Sequence, residues 1–288
     1  MIAPGTVIAV RYDLKKVIGS GGMGEVWEST DQVLDRPVAI KFIQPHLAAA
    51  DPDAVKVLKD EARLGSQLIG HPNVVITLDL VQHDDHGMTY NCVVMELVSG
   101  LNVQEWITAV APQIDDSTYY YCSLLIAMRS CEAIQYAHYR KIQHRDIKPL
   151  NVFLSARGHI KVGDFGIARF VEMATRAHTV WKAMSPAYAA PEQWKGQKPT
   201  IKTDSYQMGC TLYHLLAKEL PYPQDSAPAL MNAHLNDQIP DVRKANPLVS
   251  ETIAKAIAKT MSKTQSDRGG LWELHDALAT EVIQKYRI

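Results

Sequence analysis

The stretch HRDIKPLN, residues 144–151, carries the most specific chemical pattern in this chain of 288 residues. It sets the carboxylate of Asp146 and the amide of Asn151 five positions apart, with the amine of Lys148 between them. The strand-like runs NVFLS and HIKVGDF follow, so we interpret the stretch as a loop before two short strands. An acid, a base and an amide at fixed offsets on one loop can serve several chemical roles at once. This loop is therefore the first candidate for a functional site.

Two short motifs lie downstream of the loop. Asp164-Phe165-Gly166 supplies a second carboxylate, and Ala190-Pro191-Glu192 lies near the end of a stretch, 166–200, with little hydrophobic periodicity. A carboxylate can orient a hydroxyl nucleophile, and an amide oxygen together with a second carboxylate can hold Mg²⁺. A nearby lysine can neutralise a phosphoryl group during its transfer. The set indicates phosphoryl-transfer chemistry.

Upstream, the stretch IGSGGMGEVW (18–27) holds a GxGxxG pattern at Gly19, Gly21 and Gly24. The run that follows, EVWEST, is typical of a strand, whereas a dinucleotide-binding loop requires a helix at that point. A glycine hairpin of this kind can lie close over a polyphosphate, with its backbone N–H groups towards the oxygens. A plain hairpin turn is the alternative interpretation of this motif taken alone.

The run Val38-Ala39-Ile40-Lys41 places a lysine on the third strand-like run of the chain. A solvated strand lysine is the simplest interpretation. The sharper hypothesis is that Lys41 reaches phosphate oxygens and is held there by an acidic side chain. Glu61, in the helical run that follows, is the candidate partner, although Asp60 lies next to it.

In order and spacing, GxGxxGxV, VAIK, HRDxKxxN, DFG and APE resemble the signature set of the protein kinases. The resemblance covers nearly the whole chain, and GGMGEV, HRDIKPLN and APEQ resemble the forms found in bacterial, eukaryotic-like (Hanks-type) Ser/Thr kinases. It implies an α+β, two-lobed protein kinase fold. A small N-lobe, residues 1–98, would contain an antiparallel β-sheet and one main helix. A larger, mainly helical C-lobe would span 99–288, with Ser99-Gly100 as the expected hinge.

The resemblance implies a serine/threonine protein kinase that uses ATP with Mg²⁺, or with Mn²⁺ in its place. Asp146 would orient the substrate hydroxyl, and Lys148 is the lysine typical of Ser/Thr rather than Tyr kinases. Lys41 would bind the α and β phosphates, and Glu61 would hold Lys41. The implied metal ligands are Asn151 and Asp164.

The resemblance also implies a nucleotide pocket. Its residues would be Ile18, Gly19, Gly21, Gly24, Val26, Ala39, Lys41, Met95, Glu96, Val98 and Phe153. Adenine would lie between Val26 and Ala39 on one side and Phe153 on the other. Met95 would close the back of the pocket, and the backbone of 96–98 would meet the adenine edge. Apolar residues such as these are more often simple core, so only the surrounding motifs assign them to a nucleotide.

Regulation is expected to involve Arg145, next to the catalytic aspartate. In the family, such an arginine often meets a phosphate on the activation stretch, which is 164–192 here. Thr179 is the expected phosphosite and Thr175 the second choice. A phosphate adds about −1.5 to −2 charges, enough to pair with Arg145 and order the stretch. A plain loop hydroxyl is the alternative. We expect autophosphorylation in trans, through a transient homodimer.

Further landmarks follow from the same resemblance. Ser185 keeps a hydroxyl that we expect to hydrogen-bond the catalytic aspartate. Gly65 occupies a position where an apolar side chain is typical, so we expect a weakly packed helix there. Asp204 would hold the backbone of the catalytic loop, and Arg268 would pair with Glu192.

Several element boundaries are predicted from local pattern alone. A helix is expected at about 52–69, and a second helix should follow the caps in Asp115-Asp116-Ser117. Turns are expected at 34–37 and at the polar stretch HDDHG (83–87). The second of these could also be a metal cluster, which is the weaker interpretation. The final helix is expected to run through Leu278.

Composition excludes several classes of protein. The 30 basic and 31 acidic residues nearly cancel, which gives no support for a nucleic-acid or anionic-membrane partner. No apolar window is long enough to span a membrane, so we expect no membrane contact by this chain. Four scattered cysteines without a CxxC pair fit a reducing compartment, and we expect a cytoplasmic location.

Three functions compete at this point. The leading hypothesis is an active kinase whose substrates are proteins with Ser or Thr acceptors, in bacterial signalling. A pseudokinase that binds nucleotide as a scaffold is the alternative, but Lys41, Asp146 and Asp164 are all present. A small-molecule phosphotransferase is the third, but such enzymes tend to lack the Ala190-Pro191-Glu192 segment and a long activation stretch.

Overall fold

The computed structural model describes residues 2–21, 24–43, 54–165 and 185–286. These residues form two compact units. The first contains the described residues of 1–70 and 74–99, together with Asp164 and Phe165. The second contains 71–73, 100–163 and 185–286.

The first unit is built on a six-stranded antiparallel sheet with strand order β1-β2-β3-β4-β6-β5. The strands are β1 Val7–Ile8, β2 Tyr12–Gly21, β3 Gly24–Asp31, β4 Arg36–Ile43, β5 Thr77–Asp85 and β6 Met88–Glu96. Its one described helix is α1, Ala54–Ser66, which lies within the predicted range. The β-branched runs at 36–43 and 88–96 give strands because their side chains pack on a pleated surface.

The two faces of this sheet carry different residues. Alternation along β4 sends Val38, Ile40 and Phe42 to one face and Ala39 and Lys41 to the other. The first face belongs to a core cluster of Ile8, Tyr12, Leu14, Trp27, Val38, Ile40, Phe42, Cys92 and Val94. The second face is therefore the one that can present a lysine.

Two predicted turns are longer than the turns in the structure. The expected turn at 83–87 is only His86-Gly87, because β5 continues to Asp85 and β6 begins at Met88. His86 and Gly87 have φ of 49° and 79°, the two positive angles that a tight type I′ hairpin needs. The turn expected at 34–37 likewise ends at Asp35, since Arg36 already pairs with Asp31. Within the described residues, no group of His, Cys, Asp and Glu could hold a metal ion, so the weaker interpretation of 83–87 gains no support.

Gly65 on α1 is a point of close approach rather than a gap. The residue is buried, and a Cβ built on it would lie 3.1 Å from Oγ1 of Thr77 on β5. Glycine therefore allows α1 to approach β5 closely at this position, and the expected weak packing of the helix stays a prediction.

The second unit is mainly helical, with one small antiparallel sheet of order β7-β8-β9. Its strands are β7 Gly100–Asn102, β8 Val152–Ser155 and β9 Ile160–Val162. Its helices are α2 Val103–Glu105, α3 Asp116–Tyr139, α4 Pro191–Trp194, α5 Ile201–Ala217, α6 Ala227–Asn236, α7 Glu251–Thr260 and α8 Leu271–Tyr286. Helix α8 continues well past Leu278, where the sequence pattern predicted its end.

Side-chain caps begin most of these helices. Asp115 accepts a hydrogen bond from the Thr118 N–H at the start of α3, as its sequence predicted. Ser226 and Ser250 cap α6 and α7 in the same way. Each cap satisfies a backbone donor that the first helical turn leaves without a partner.

Helix α5 is the centre of the second unit, because residues 203–216 are all buried. At Gly209 a Cβ would lie 2.4 Å from Oγ1 of Thr260, so glycine allows α5 and α7 to touch. Tyr119 and Tyr120 of α3 are buried too, and their hydroxyls donate to the Leu215 carbonyl and the Glu281 carboxylate. These tyrosines are packing residues.

All four cysteines are free thiols. Cys92, Cys131 and Cys210 are buried, and Cys122 is partly exposed. No helix among the described residues is both long enough and apolar enough to cross a membrane.

Candidate active site

In the first unit, the central residue of the candidate active site is Lys41 of β4. Its side chain is 6 % exposed, and its Nζ donates a hydrogen bond to Oδ2 of Asp164 at 2.7 Å. Asp164 has φ of 63°, a left-handed conformation that costs free energy for any residue with a Cβ. The sequence predicted Glu61 as the partner of Lys41. Glu61 lies on α1, and its side chain is outside the described part of the chain.

The glycine-rich stretch forms a strand pair, as predicted. Gly19 and Gly21 end β2, and Gly21 pairs with Gly24, the first residue of β3. Gly24 has φ of 138°, which favours glycine. The strand β3 follows where a dinucleotide-binding fold would have a helix. The connection, residues 22–23, lies outside the described residues.

Cross-strand pairing places several predicted nucleotide-pocket residues on the face of Lys41. Val26 on β3 pairs with Lys41, and Met95 on β6 pairs with Ala39, so their side chains share that face of the sheet. Ala39 is buried, Val26 and Met95 are half-buried, and Ile18 is 45 % exposed. Val26, Ala39 and Met95 can therefore line a surface beside the lysine. Ile18 lies at the register shift between Val17 and Gly19, so its place in the pocket stays a prediction.

Three further predicted pocket residues are Glu96, Val98 and Phe153. Glu96 ends β6, and its carboxylate accepts a hydrogen bond from the Ile76 N–H at 2.9 Å. Val98 is half-buried beyond the strand. Phe153 lies on β8 of the second unit, where it pairs with Asn102. The role of each in binding a nucleotide stays a prediction.

In the second unit, the loop 144–151 brings together the three side chains that the sequence singled out. Asp146 is 8 % exposed, and its Oδ2 accepts hydrogen bonds from Lys148 Nζ at 2.7 Å and Asn151 Nδ2 at 3.2 Å. Lys148 Nζ also donates to Ser185 Oγ at 2.6 Å. Ser185 was expected to bond Asp146 directly, but the contact runs through Lys148, whose ammonium has donors for both.

Asn151 is oriented so that its oxygen is available to a cation. Its Nδ2 donates to the Asp146 carbonyl at 2.8 Å, so Oδ1 is the atom directed elsewhere. Mg²⁺ in nucleotide sites is usually held by one or two carboxylates together with substrate phosphates. The amide oxygen of Asn151 is therefore the ligand that this loop can offer to such an ion, and its predicted joint role with Asp164 stays a prediction.

The backbone of this loop is held by Asp204, as predicted. Its carboxylate accepts from the N–H groups of His144 at 2.9 Å and Arg145 at 2.7 Å, and it contacts His138 Nε2 at 2.6 Å. Burial alone would raise the pKa of Asp204, but the hydrogen bonds and charges of His138 and His144 hold that pKa below its ordinary value. Asp204 lies in the first turn of α5, which begins at Ile201.

The predicted pair of Glu192 and Arg268 is present and bidentate. Arg268 donates from Nη1 and Nη2 to the two carboxylate oxygens at 2.6 and 2.7 Å, and both residues are buried. Burial raises the pKa of Glu192, but the hydrogen bonds from Arg268 and Thr203 outweigh it and leave the pKa below its ordinary value. Such a pair ties α4 to the segment before α8.

The predicted phosphosites Thr175 and Thr179 lie outside the described residues. Arg145, their expected partner, is described, and its Nε donates to Oε1 of Gln143 at 3.2 Å. Its φ of 66° places it in the left-handed region. The regulatory role of these three residues stays a prediction.

Comparison with known families identifies the class of protein that this fold and these motifs define. The model of the protein kinase domain matches residues 12–283. The chain therefore belongs to the protein kinase family.

Comparison with named relatives shows which kind of protein kinase the chain resembles. The chain is 37% identical over 249 residues to the serine/threonine-protein kinase PrkC of Bacillus subtilis, covering 86% of this chain and 37% of the relative. It is 32% identical over 233 residues to the serine/threonine-protein kinase PknB of Mycobacterium tuberculosis, covering 80% and 36%. The predicted class, a bacterial Hanks-type serine/threonine kinase domain, is confirmed. The chain spans little more than a third of the length of these relatives.

Solved structures confirm the predicted fold. The kinase domain of Mycobacterium tuberculosis PknI superposes with a TM-score of 0.75 at 22% identity and full coverage of both chains. A second structure of the same domain gives a TM-score of 0.73 at 24% identity, covering 98% of this chain and 99% of that one. The α+β kinase fold, with a sheet-based unit and a helical unit, is therefore established.

Proposed function

We propose that this chain transfers the γ-phosphate of ATP to serine and threonine hydroxyls of proteins, as part of bacterial signalling in the cytoplasm. The observation that carries the proposal is the arrangement of Asp146, Lys148 and Asn151 on one loop, within hydrogen-bond distance of one another. The names of PrkC and PknB support the same activity.

In phosphoryl transfer, a protein catalyses mainly by positioning the reactants and by stabilising charge. In our proposal, Asp146 orients the acceptor hydroxyl and takes up its proton. Lys148, 2.7 Å from Asp146, keeps the carboxylate in place and sets a positive charge beside the moving phosphoryl group. Its second contact, to Ser185, restrains the ammonium from another side.

Lys41 is assigned to the α and β phosphates of ATP. The ammonium is nearly buried and is held by Asp164, so its position is fixed before any ligand arrives. A bound Mg²⁺ or Mn²⁺ ion would supply positive charge that stabilises the phosphate oxygens in transfer. Asn151 and Asp164 would hold that ion.

The test is transfer of labelled phosphate from ATP, with Mg²⁺ or Mn²⁺, to a generic basic acceptor protein. Acid hydrolysis should then yield phosphoserine and phosphothreonine. Phosphotyrosine alone would contradict the assignment of Lys148. Nucleotide binding without any transfer, to itself or to the acceptor, would favour the scaffold function instead.

A further inference from the structure

Two glutamines to which the sequence motifs assigned no role contact each other next to the catalytic loop. Gln193 lies on α4 and Gln207 on α5, and they are 7 % and 2 % exposed. Gln207 Nε2 donates to Gln193 Oε1 at 2.9 Å. Two buried amides in direct contact must also satisfy their other polar atoms, because an unpaired buried polar atom is costly.

Backbone partners fix the orientation of both amides. Gln193 Oε1 accepts from the Ala190 N–H at 2.9 Å, and Gln207 Oε1 accepts from the Ile147 N–H at 2.9 Å. Both nitrogens donate to the Arg145 carbonyl, Gln207 at 2.8 Å and Gln193 at 3.1 Å. An N–H group can only donate and a carbonyl can only accept, so neither amide can be flipped.

These bonds hold the two peptide groups on either side of Asp146. The Arg145 carbonyl belongs to the peptide before Asp146, and the Ile147 N–H belongs to the peptide after it. Asp204 holds the preceding N–H groups of the loop, so it restrains only the approach to Asp146. The glutamine pair adds the restraint at Asp146 itself.

The loop needs this restraint because Arg145 has φ of 66°. A left-handed conformation at a residue with a Cβ is strained and persists only where its surroundings over-determine it. Two donors on the Arg145 carbonyl, from two different helices, are such surroundings. The direction of the Asp146 side chain depends on this conformation, since its own backbone begins there.

We propose that Gln207 and Gln193 are positioning residues that aim Asp146 at the acceptor hydroxyl. The inference rests on the proposed function of Asp146 and extends it to two side chains that touch no substrate. Through the Ala190 N–H, Gln193 also joins the start of α4 to the catalytic loop. A shift of α4 would therefore be transmitted to Asp146 through one amide pair.

The test compares Gln207→Met and Gln193→Met with wild type. Methionine keeps the length and flexibility of glutamine but offers no strong hydrogen bond. We expect Gln207→Met to lower kcat by about 10- to 100-fold, as for a displacement of a reacting group by about 1 Å. The KM for ATP should change little, because Lys41 and Asp164 are untouched. Gln193→Met should have the smaller effect, since the Arg145 carbonyl keeps its donor from Gln207.

The matched control is Gln135→Met on α3. Its Nε2 is buried and has no hydrogen-bond partner within the described residues, so its loss should leave kcat unchanged. Because Gln193 and Gln207 both donate to the Arg145 carbonyl, each partly compensates for the loss of the other, so the double variant should lose more than the product of the two single losses. Hydrogen exchange gives an independent readout, and the Ile147 amide should lose protection in Gln207→Met.

The outcomes separate this inference from the proposed function. An active wild type with an unchanged kcat in Gln207→Met overturns the positioning role alone. An equal loss in Gln135→Met would also overturn it, because the effect would then be general. A wild type without any phosphoryl transfer overturns the proposed function, and the inference falls with it.

Discussion

Asp146 uses one carboxylate oxygen for its contacts within the loop. Lys148 and Asn151 both donate to Oδ2, so Oδ1 is the oxygen that we expect to meet the acceptor hydroxyl. The two donors come from positions close in sequence, which makes the geometry of this corner a property of the loop itself. A change at Asp146 should therefore act on chemistry more than on folding.

The first prediction is that Asp146→Asn lowers kcat by about 10²- to 10⁴-fold, the range expected for loss of a general base. The variant should keep the thermal stabilisation that Mg-ATP gives to wild type, since Lys41 is unchanged. Turnover and melting temperature with and without Mg-ATP are the measurements. Turnover at the wild-type rate would remove Asp146 from its assigned role.

The sequence predicts relations between site residues that are close along the chain better than relations between distant residues. Asp146, Lys148 and Asn151 lie within one motif, so the sequence placed the three side chains on one loop, although it did not predict their hydrogen bonds. Lys41 and Asp164 are 123 positions apart, and no local pattern relates them. Gln193 and Gln207 were missed for the same reason: their partners are backbone groups of a loop that only the folded chain brings near.

At the scale of elements, Gly100 is the residue on which the small sheet depends. It has φ of 157°, and a Cβ there would lie 1.9 Å from the Leu154 carbonyl oxygen on β8. We predict that Gly100→Ala lowers the free energy of unfolding by about 2–4 kcal/mol through overpacking and backbone strain. Urea titration of both proteins measures this difference.

Gly158→Ala is the matched control for this prediction. Gly158 has φ of 80° and nothing within 4 Å of the added Cβ, so only the strain remains. It should cost about 1 kcal/mol. Equal losses in the two variants would show that the contact with β8 does not matter.

The boundaries of helices and strands were predicted well where a local sequence signal marks them and poorly where tertiary contacts determine them. The caps of α3 and the strand-like run that carries Lys41 are local, and both were found from sequence. The end of α8 is not local. The helix runs to Tyr286 because Val282 is buried and Glu281 accepts the hydroxyl hydrogen bond of Tyr120. The tight turn at 86–87 was missed because the polar residues before it lie on a strand.

At the scale of the whole molecule, the Glu192–Arg268 pair should set part of the acid stability. The pKa of Glu192 in the folded chain lies below its ordinary value of 4.5, so the unfolded chain binds the proton more readily. The contribution is therefore complete above pH 4.5 and is lost as the pH falls through the folded-state pKa.

We predict that Glu192→Gln is less stable than wild type by about 3–5 kcal/mol at neutral pH, because Arg268 keeps a buried charge without its carboxylate. The difference in unfolding free energy should shrink as the pH is lowered below 4.5. Denaturant titrations from pH 7 to pH 3 measure it. A difference that stays constant over this range would contradict the assignment.

Regulation is the second prediction at this scale. We propose that Thr179 is phosphorylated by a second copy of the chain in a transient homodimer, with Arg145 as the partner of the phosphate. Mass spectrometry should find the phosphate on wild type and not on Asp146→Asn. Dilution should slow its appearance, because the reaction is bimolecular. Full activity of Thr179→Ala, with Thr175 unmodified, would exclude Thr179 as the switch.

Each unit contains a buried thiol whose chemical labelling can report when that unit opens to solvent. Burial raises the pKa of Cys92 in β6 and of Cys210 in α5 to about 12, and only the thiolate reacts with a thiol reagent. Labelling therefore has to wait until the surrounding element opens to water. The labelling rate of Cys92 should follow fluctuations of the sheet, and that of Cys210 fluctuations of the central helix. One reagent, read at two positions, can then tell which of the two units a nucleotide makes more rigid.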